Sequence, residues 1–145
     1  MIFIASDHRG FELKNKIIEY FKKERPEMEF MDLGPATLNP DDDYPVYVKP
    51  VVENVLSNPA NKGILICANG VGVCMAAGKH KGIRAGLSWN AKHAESMRND
   101  DDTNVLCLPA YYISEEEAYK IVETWISTEF GDKERYVRRL AEADL

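Results

Sequence analysis

Residues 63–72 read Gly-Ile-Leu-Ile-Cys-Ala-Asn-Gly-Val-Gly, an apolar run that passes directly into a glycine-rich turn. The run Gly63–Ala68 is short and apolar, which is typical of a strand covered on both faces. The two glycines at positions 70 and 72 let the backbone turn sharply and approach a ligand closely. A helix is expected after the turn, and the free N–H groups at its start favour an anion. The stretch therefore predicts a strand, a ligand-facing turn and a helix.

The same alternation of a short apolar run and a longer amphipathic one occurs five times along the chain. Short connections between strands and helices predict right-handed βαβ units and a mostly parallel sheet with helices on both faces. Ligands then bind beyond the carboxyl ends of the strands. The second strand, which contains Glu29 and Asp32, is expected at an edge. The expected strands are Ile2–Ser6, Glu29–Leu33, Gly63–Ala68, Ile83–Ser88 and Asn104–Leu108, and the expected helices cover about residues 10–23, 44–56, 73–81, 91–99, 114–128 and 133–144.

The composition sets bounds on the class of protein. The 145 residues fit one domain, residues 1–145, and 45% hydrophobic residues are enough for a core. A net charge of −6 argues against a nucleic-acid binder but permits a small anionic ligand held by a few cations. With no apparent signal peptide or membrane segment, and three cysteines without CxxC spacing, we expect a cytoplasmic protein with free thiols and no zinc site.

Cys67 ends the central apolar run next to the positive end of the following helix. The helix dipole favours the thiolate form, whereas desolvation opposes ionisation. A catalytic thiol and a buried structural cysteine both fit this position, while Cys74 and Cys107 are interpreted as structural. The loop is neither a dinucleotide fingerprint, since a third glycine is missing, nor a P-loop, since no Gly-Lys-Ser/Thr follows.

Two polar segments accompany the start of the predicted site. Asp7 can accept hydrogen bonds from sugar hydroxyls and His8 can donate to a phosphate, but Asp7 can equally cap the first helix. The segment 39–43, Asn-Pro-Asp-Asp-Asp, is interpreted as a charged surface loop.

Two charged groups occur late in the chain. The run of three carboxylates at 100–102 is either a solvated loop or a group whose mutual repulsion raises a pKa toward that of a useful acid or base. Arg135 and Arg139 are four residues apart, so both side chains share one face of a helix and suit a phosphate. The alternative is a pair of surface arginines that balance Glu134 and Glu142.

Six segments in this order resemble the type B ribose-5-phosphate isomerase family, which also includes galactose-6-phosphate and allose-6-phosphate isomerases. The resemblance implies a Rossmann-like three-layer α/β/α sandwich with a five-stranded parallel sheet. It also implies a homodimer or dimer of dimers with active sites at the subunit interface, and no metal or cofactor. The segments are residues 6–10 (Ser-Asp-His-Arg-Gly), 43–45 (Asp-Tyr-Pro), 63–72, 82–85 (Gly-Ile-Arg-Ala), 102–106 (Asp-Thr-Asn-Val-Leu) and the pair Arg135 and Arg139.

The family reaction interconverts an aldose phosphate and a ketose phosphate, here ribose 5-phosphate and ribulose 5-phosphate, through an enediolate. By resemblance, Cys67 is the base, and the Asn69 amide replaces a more usual hydroxyl side chain. The resemblance assigns enediolate stabilisation to the backbone of Ala68, Gly70, Val71 and Gly72, and substrate binding to Asp7, His8, Tyr44, Asp101, Arg135 and Arg139.

Two positions depart from the family pattern. Asp100 and Asp101 stand where many members have His-Asn, whose histidine opens the sugar ring, and Tyr111 stands where a phosphate-binding arginine is common. Ring opening then falls to Asp100 or Asp7, or the substrate binds already open. The alternatives to a pentose phosphate isomerase are a hexose 6-phosphate isomerase, a sugar-phosphate binder without ring-opening activity and, more remotely, a nucleotide-binding regulator.

Overall fold

The computed structural model describes residues 1–145 as five strands and six helices in strict sequence alternation until the last two helices. No helix combines the length and the apolar character needed to cross a bilayer. The strands are β1 Ile2–Ser6, β2 Phe30–Asp32, β3 Lys62–Cys67, β4 Ala85–Leu87 and β5 Val105–Pro109. The helices are α1 Phe11–Glu24, α2 Pro45–Ser57, α3 Val71–Gly78, α4 Ala91–Asp101, α5 Glu115–Ser127 and α6 Glu134–Glu142.

The strands form one parallel sheet in the order β2-β1-β3-β5-β4. The predicted α/β sandwich is confirmed, and so is the edge position of β2. From β1 the chain turns to one side to form β2 and then crosses to the other side to form β3. The carboxyl ends of β1 and β3 therefore border the crevice at which this class of sheet binds ligands.

Each face of the sheet has its own apolar core, because successive side chains of a strand point to opposite faces. The first core, under α1, α4 and α5, includes the fully buried Trp125, whose indole N–H donates to Thr103 Oγ1 at 3.0 Å. The first core joins Ile4, Ile64, Ile66, Leu106 and Leu108 to α1, α4 and α5, and the second joins Phe3, Leu65, Cys67, Val105 and Cys107 to α2 and α3.

Several helix boundaries differ from those expected, among them the end of α3, which is at Gly78 rather than near Lys81. Helix α3 starts at Val71, two residues early, because Gly70 adopts a φ of +74° and completes the turn at once. Helix α4 continues through Asp101, so the acidic run is largely helical rather than a loop. Asp102 ends α4 with a φ of +46°. The expected capping box of α5 is present, with Ser114 and Glu117 bonded reciprocally.

An ion pair between a buried lysine and a partly exposed aspartate joins the first helix to the edge strand. Lys14 is fully buried, and its Nζ lies 2.7 Å from Asp32 Oδ1 and 2.8 Å from the carbonyl oxygen of Pro35. The charged Lys14 is thus compensated on β2, which holds α1 against the β1 side of the crevice.

Candidate active site

A cavity of about 460 Å³ lies at the carboxyl ends of β1 and β3. Its walls come from the segment after β1, the loop before α2 and the loop between β3 and α3. These are the positions that the strand order brings together at the crevice. The lining residues are Asp7, His8, Arg9, Asp42, Asp43, Tyr44, Cys67, Ala68, Asn69, Val71, Gly72 and Met75.

Cys67 is the last residue of β3 and lines this cavity, although only 5% of it is exposed. Its side chain lies on the face covered by α2 and α3, and its Sγ is 3.9 Å from Asn69 Oδ1. The thiol is therefore largely desolvated yet accessible from the cavity. This placement suits proton transfer with a ligand in the cavity.

The loop after Cys67 is shaped by its two glycines. A Cβ at position 70 would lie 3.1 Å from the backbone of Leu108 and Pro109, and the positive φ of Gly70 disfavours other residues. A Cβ at position 72 would lie 2.6 Å from the ring of Tyr44. The Tyr44 ring thus packs directly on the loop, as the predicted pocket wall requires.

The loop after Cys67 also supplies the backbone amides at the start of α3. The first N–H groups of a helix have no acceptor within the helix. The amide of Val71 donates to Asn69 Oδ1 at 3.0 Å, so the Asn69 side chain satisfies one donor of the turn. Gly72, the next residue of the turn, lines the cavity, so its N–H group is available to the kind of anionic oxygen that an oxyanion hole binds.

Asp7 has the capping role that the sequence left open, and its position is compatible with ligand binding as well. Its Oδ1 accepts hydrogen bonds from the amides of Arg9 at 2.9 Å and Gly10 at 3.0 Å, so it does order the start of α1. The residue is 7% exposed and also lines the cavity. One carboxylate thus fixes its own loop and remains within reach of a ligand.

His8 is held by a carboxylate that the sequence interpretation placed on the surface. Asp42 Oδ1 lies 2.7 Å from His8 Nδ1 and accepts the His8 amide at 3.0 Å. The Asp42 side chain is only 5% exposed, so the expected surface loop is wrong at this residue. Since a carboxylate only accepts, Nδ1 carries the proton, and Nε2 is the nitrogen free to meet a ligand.

The electrostatics of Asp42 follow from this contact. Burial raises the pKa of its carboxyl, but the hydrogen bonds from the His8 amide and ring, together with the Tyr47 side chain, outweigh burial and leave the pKa below its ordinary value. Its second oxygen, Oδ2, is buried without a hydrogen-bond partner. The contact with His8, through two hydrogen bonds to one oxygen, is therefore the main interaction of this carboxylate.

The remaining predicted residues do not line the cavity. Gly70 lies in the turn itself but is not among the lining residues. Asp100 and Asp101 are at the end of α4, and Arg135 and Arg139 are exposed on α6. None of the four lines the cavity that contains Cys67. The single chain therefore does not bring them to the predicted base.

The acidic run at the end of α4 is divided by its partners. Asp102 pairs with Arg98 at 2.7 Å and with Arg84 at 3.1 Å, and so it is structural. Burial, followed by the charge of Asp100, raises the pKa of Asp101, while Arg139 opposes the rise. The expected repulsion therefore acts on Asp101, and Arg139 is near enough to moderate it.

The other two cysteines lie outside the cavity. Cys107 is fully buried, and burial raises the pKa of its thiol. A hydrogen bond from Cys107 lowers the pKa of Cys74 to about 7, against the effect of burial. Both remain structural in our interpretation, because neither side chain lines the cavity of Cys67.

Sequence reasoning assigned no role to Arg9 or Asp42, both of which line the cavity. Arg9 directly follows His8, so its position in the motif was a usable signal. Asp42 gave no such signal, since its contact with His8 joins residues 34 positions apart.

Comparison with known proteins agrees with this architecture. A family model described as Ribose/Galactose Isomerase matches residues 2–143. A protein from Mycoplasma pneumoniae named probable ribose-5-phosphate isomerase B is 46% identical over 129 residues, which cover 89% of this chain and 84% of that protein.

Solved structures give the same result. Ribose-5-phosphate isomerase B from Mycoplasma genitalium, with bound ribulose-5-phosphate, superposes with a TM-score of 0.92 at 41% identity and covers 99% of this chain and 93% of that one. Ribose 5-phosphate isomerase from Thermotoga maritima has a TM-score of 0.92 at 40% identity, with 99% and 96% coverage. The family match over nearly the whole chain and the shared fold lead to one conclusion: the chain belongs to the ribose/galactose isomerase family.

Proposed function

We propose that this enzyme interconverts ribose 5-phosphate and ribulose 5-phosphate, with Cys67 as the base. The observation that carries the proposal is the Cys67 thiol on the wall of a cavity that is also lined by the glycine-rich loop at the start of α3. The relative from Mycoplasma genitalium, 41% identical, holds ribulose-5-phosphate, which supports the choice of a pentose phosphate.

The proposed mechanism moves one proton between neighbouring carbons. The Cys67 thiolate removes the proton from C2 of the open aldose, and the C2–H electron pair forms the C1=C2 bond while O1 becomes negative. Amides of Gly70 and Gly72 stabilise that oxygen. The thiol then returns the proton to C1, the 2-hydroxyl proton passes to O1, and the C2 carbonyl forms. Atoms and charge balance without a cofactor.

We assign ring opening to Asp7 or Asp100. Asp7 lies in the same cavity as Cys67, whereas Asp100 belongs to a different part of the chain. If Asp100 acts, it must come from a second copy of the chain. Asp101, whose pKa is raised by burial and by the charge of Asp100, would then contact the substrate beside it.

A second copy also explains an unusual surface. Helix α3 reads Val-Gly-Val-Cys-Met-Ala-Ala-Gly and is apolar all round, a pattern typical of a helix covered on every side. Yet Val71 is 45% and Met75 62% exposed, next to the cavity. We infer a homodimer, alone or paired into a dimer of dimers, in which this surface is covered.

In such a dimer each active site takes residues from both chains. One chain supplies Cys67 and the anion loop, and its partner supplies the end of α4 and the two arginines of α6. Arg135 and Arg139 would bind the phosphate together with His8. We further propose a cytoplasmic location, because the three free thiols suit a reducing compartment.

The proposal is tested with Cys67→Ala. Isomerisation of ribose 5-phosphate should fall by about 10²- to 10⁴-fold, because a positioned base contributes that much. Binding of ribose 5-phosphate, measured by calorimetry, should persist. Cys74→Ala, a thiol outside the cavity, is the matched control and should stay near wild type. Activity of Cys67→Ala near wild type would refute the thiol base.

The same assay separates the alternatives. Faster turnover of allose or galactose 6-phosphate than of ribose 5-phosphate would replace the pentose assignment. Binding without proton exchange at C2 would indicate a sugar-phosphate binder. The variant Asp100→Asn tests ring opening with two substrates. Ring opening is assigned to Asp100 if the variant reacts more slowly with cyclic ribose 5-phosphate but exchanges deuterium into ribulose 5-phosphate, which cannot form the ring, as fast as the wild type.

A further inference from the structure

We propose that the Arg9 guanidinium binds the substrate phosphate from the same chain that supplies Cys67. The inference rests on the proposed function and deepens it, because it names a side chain that binds the phosphate of the substrate. It follows from the charge balance of the cavity, from the absence of a partner for Arg9 and from the way its backbone is held.

The charges that line the cavity require a cation. Three carboxylates line it, those of Asp7, Asp42 and Asp43, and Arg9 is the only lysine or arginine among the lining residues. A phosphate dianion placed among three carboxylates is repelled unless a positive charge lies closer to it. His8 contributes one donor, but Asp42 already occupies its Nδ1. Arg9 is thus the permanent positive charge that one chain offers.

The guanidinium of Arg9 is not used by the fold. No carboxylate of the chain pairs with it, and Arg9 enters the hydrogen-bond network through its amide alone, which donates to Asp7 Oδ1 at 2.9 Å. Arg84 and Arg98, by contrast, both form ion pairs with Asp102. All five N–H donors of Arg9 therefore remain for an external anion, and a guanidinium keeps its charge at any relevant pH.

The backbone that carries Arg9 is fixed against the strand that carries the base. The Asp7 amide donates to the Ile66 carbonyl oxygen at 3.2 Å, which extends the pairing of β1 with β3. The backbone of Gly10 also packs closely on β3: a Cβ added to Gly10 would lie only 2.7 Å from that same Ile66 oxygen. Arg9 lies between these two contacts, so its Cα is positioned although its side chain is exposed.

Arg9 also lies at the rim of the cavity rather than at its floor. It lines two neighbouring cavities of about 460 and 230 Å³, which it shares with Tyr111. Cys67, with 5% exposure, lies inside. In a pentose 5-phosphate the phosphate is at the opposite end of the carbon chain from the two carbons that exchange the proton. A cation at the rim and a thiol inside match that separation.

The experiment compares Arg9→Ala, Arg9→Lys and Lys22→Ala in the full-length protein. Lys22 is an exposed cation in the last turn of α1, so its removal matches the charge change away from the cavity. For Arg9→Ala we expect the KM for ribose 5-phosphate and the inhibition constant of inorganic phosphate to rise together by about 10- to 100-fold, with a much smaller change in kcat. In Arg9→Lys both constants should rise less, because lysine keeps the positive charge but lacks the paired N–H donors of the guanidinium.

Three outcomes would overturn the inference: a KM as little affected as in Lys22→Ala, a fall in kcat at unchanged KM, or a raised KM with an unchanged inhibition constant for inorganic phosphate. If the wild type does not interconvert the sugars, the proposed function fails by itself. Calorimetry with ribose 5-phosphate then decides about Arg9. Weaker binding to Arg9→Ala than to Lys22→Ala supports it, and equal or absent binding refutes it.

Discussion

At the scale of single residues, the pair formed by His8 and Asp42 shows how a loop carboxylate can orient a histidine of the site. Asp42 accepts both the ring and the amide of His8, so it fixes the position and the tautomer of the imidazole together. Such a partner sets which ring nitrogen faces a ligand.

This contact predicts a pH dependence of stability. The folded-state pKa of Asp42 lies below its unfolded value. Its contribution to stability is therefore fully present above the unfolded carboxyl pKa of about 4 and is lost as the pH falls through the lower folded value. The urea midpoint of the wild type should exceed that of Asp42→Asn at pH 7, and the difference should shrink on acidification toward pH ~3.

Asp41→Asn is the matched control, since Asp41 is exposed in the same loop and the charge change is identical. A difference between wild type and Asp42→Asn that stays constant over this pH range, or grows toward acid, would contradict the role of the ionised carboxylate.

The site could be predicted from sequence where local patterns determine it. Cys67, Asp7, Tyr44 and the glycine loop follow directly from strand ends and turn chemistry, and the structure brings them into one cavity. The burial of Asp42 depends on a tertiary contact with His8 that no local pattern encodes. The run 39–43 is polar throughout, so its composition alone indicates a solvated loop.

At the scale of elements, the strands were predicted closely because apolar runs bounded by turns leave little choice of position. Helix α4 was predicted too short, since three successive carboxylates suggest the end of a helix. Arg84 and Arg98 neutralise Asp102 and thereby stabilise the helix up to Asp101. A cation contributed 18 positions earlier in the chain, such as Arg84, is invisible to a local pattern.

The link between α1 and β2 gives a prediction about an element. In Asp32→Asn the buried Lys14 ammonium loses its charge partner, while the Pro35 carbonyl oxygen remains. We expect a loss of about 2 kcal/mol in the free energy of unfolding, below the range for a fully buried pair because Asp32 is 37% exposed. Urea denaturation measures it.

A double variant provides the control. Lys14→Met in the Asp32→Asn background removes the unpaired charge and keeps the volume of the side chain, so it should recover most of the loss. If the double variant is as unstable as the sum of the two single variants, the two residues do not act as a pair.

At the scale of the whole molecule, one chain separates the proposed functional residues into two groups. Cys67 and its cavity lie at the crevice between β1 and β3, and Arg135 and Arg139 lie on α6. The proposed homodimer joins the first group of one copy to the second group of the other.

Subunit complementation tests this arrangement. Cys67→Ala and the double variant Arg135→Ala/Arg139→Ala should each be impaired at low substrate concentration. After random exchange of subunits, half of the dimers are mixed and contain one site with every residue intact, so about a quarter of the wild-type activity should return.

A site built within one chain predicts no recovery, because each subunit would carry its own defect. The matched control mixes Cys67→Ala with Cys67→Ala/Lys22→Ala, a combination in which no intact site can form. Recovery in that control would show that the exchange assay is at fault rather than the assembly.

The strand order also determines when the sheet can close during synthesis. Strand β4 is made before β5, yet it pairs with β5 alone, and β5 lies between it and β3. While only the first hundred residues have left the ribosome, the outer edge of β3 has no neighbour and β4 has no strand to pair with. The nascent chain therefore exposes an open sheet edge that attracts wrong partners. The sheet is completed when β5, Val105–Pro109, inserts between β3 and β4, which are both synthesised before it.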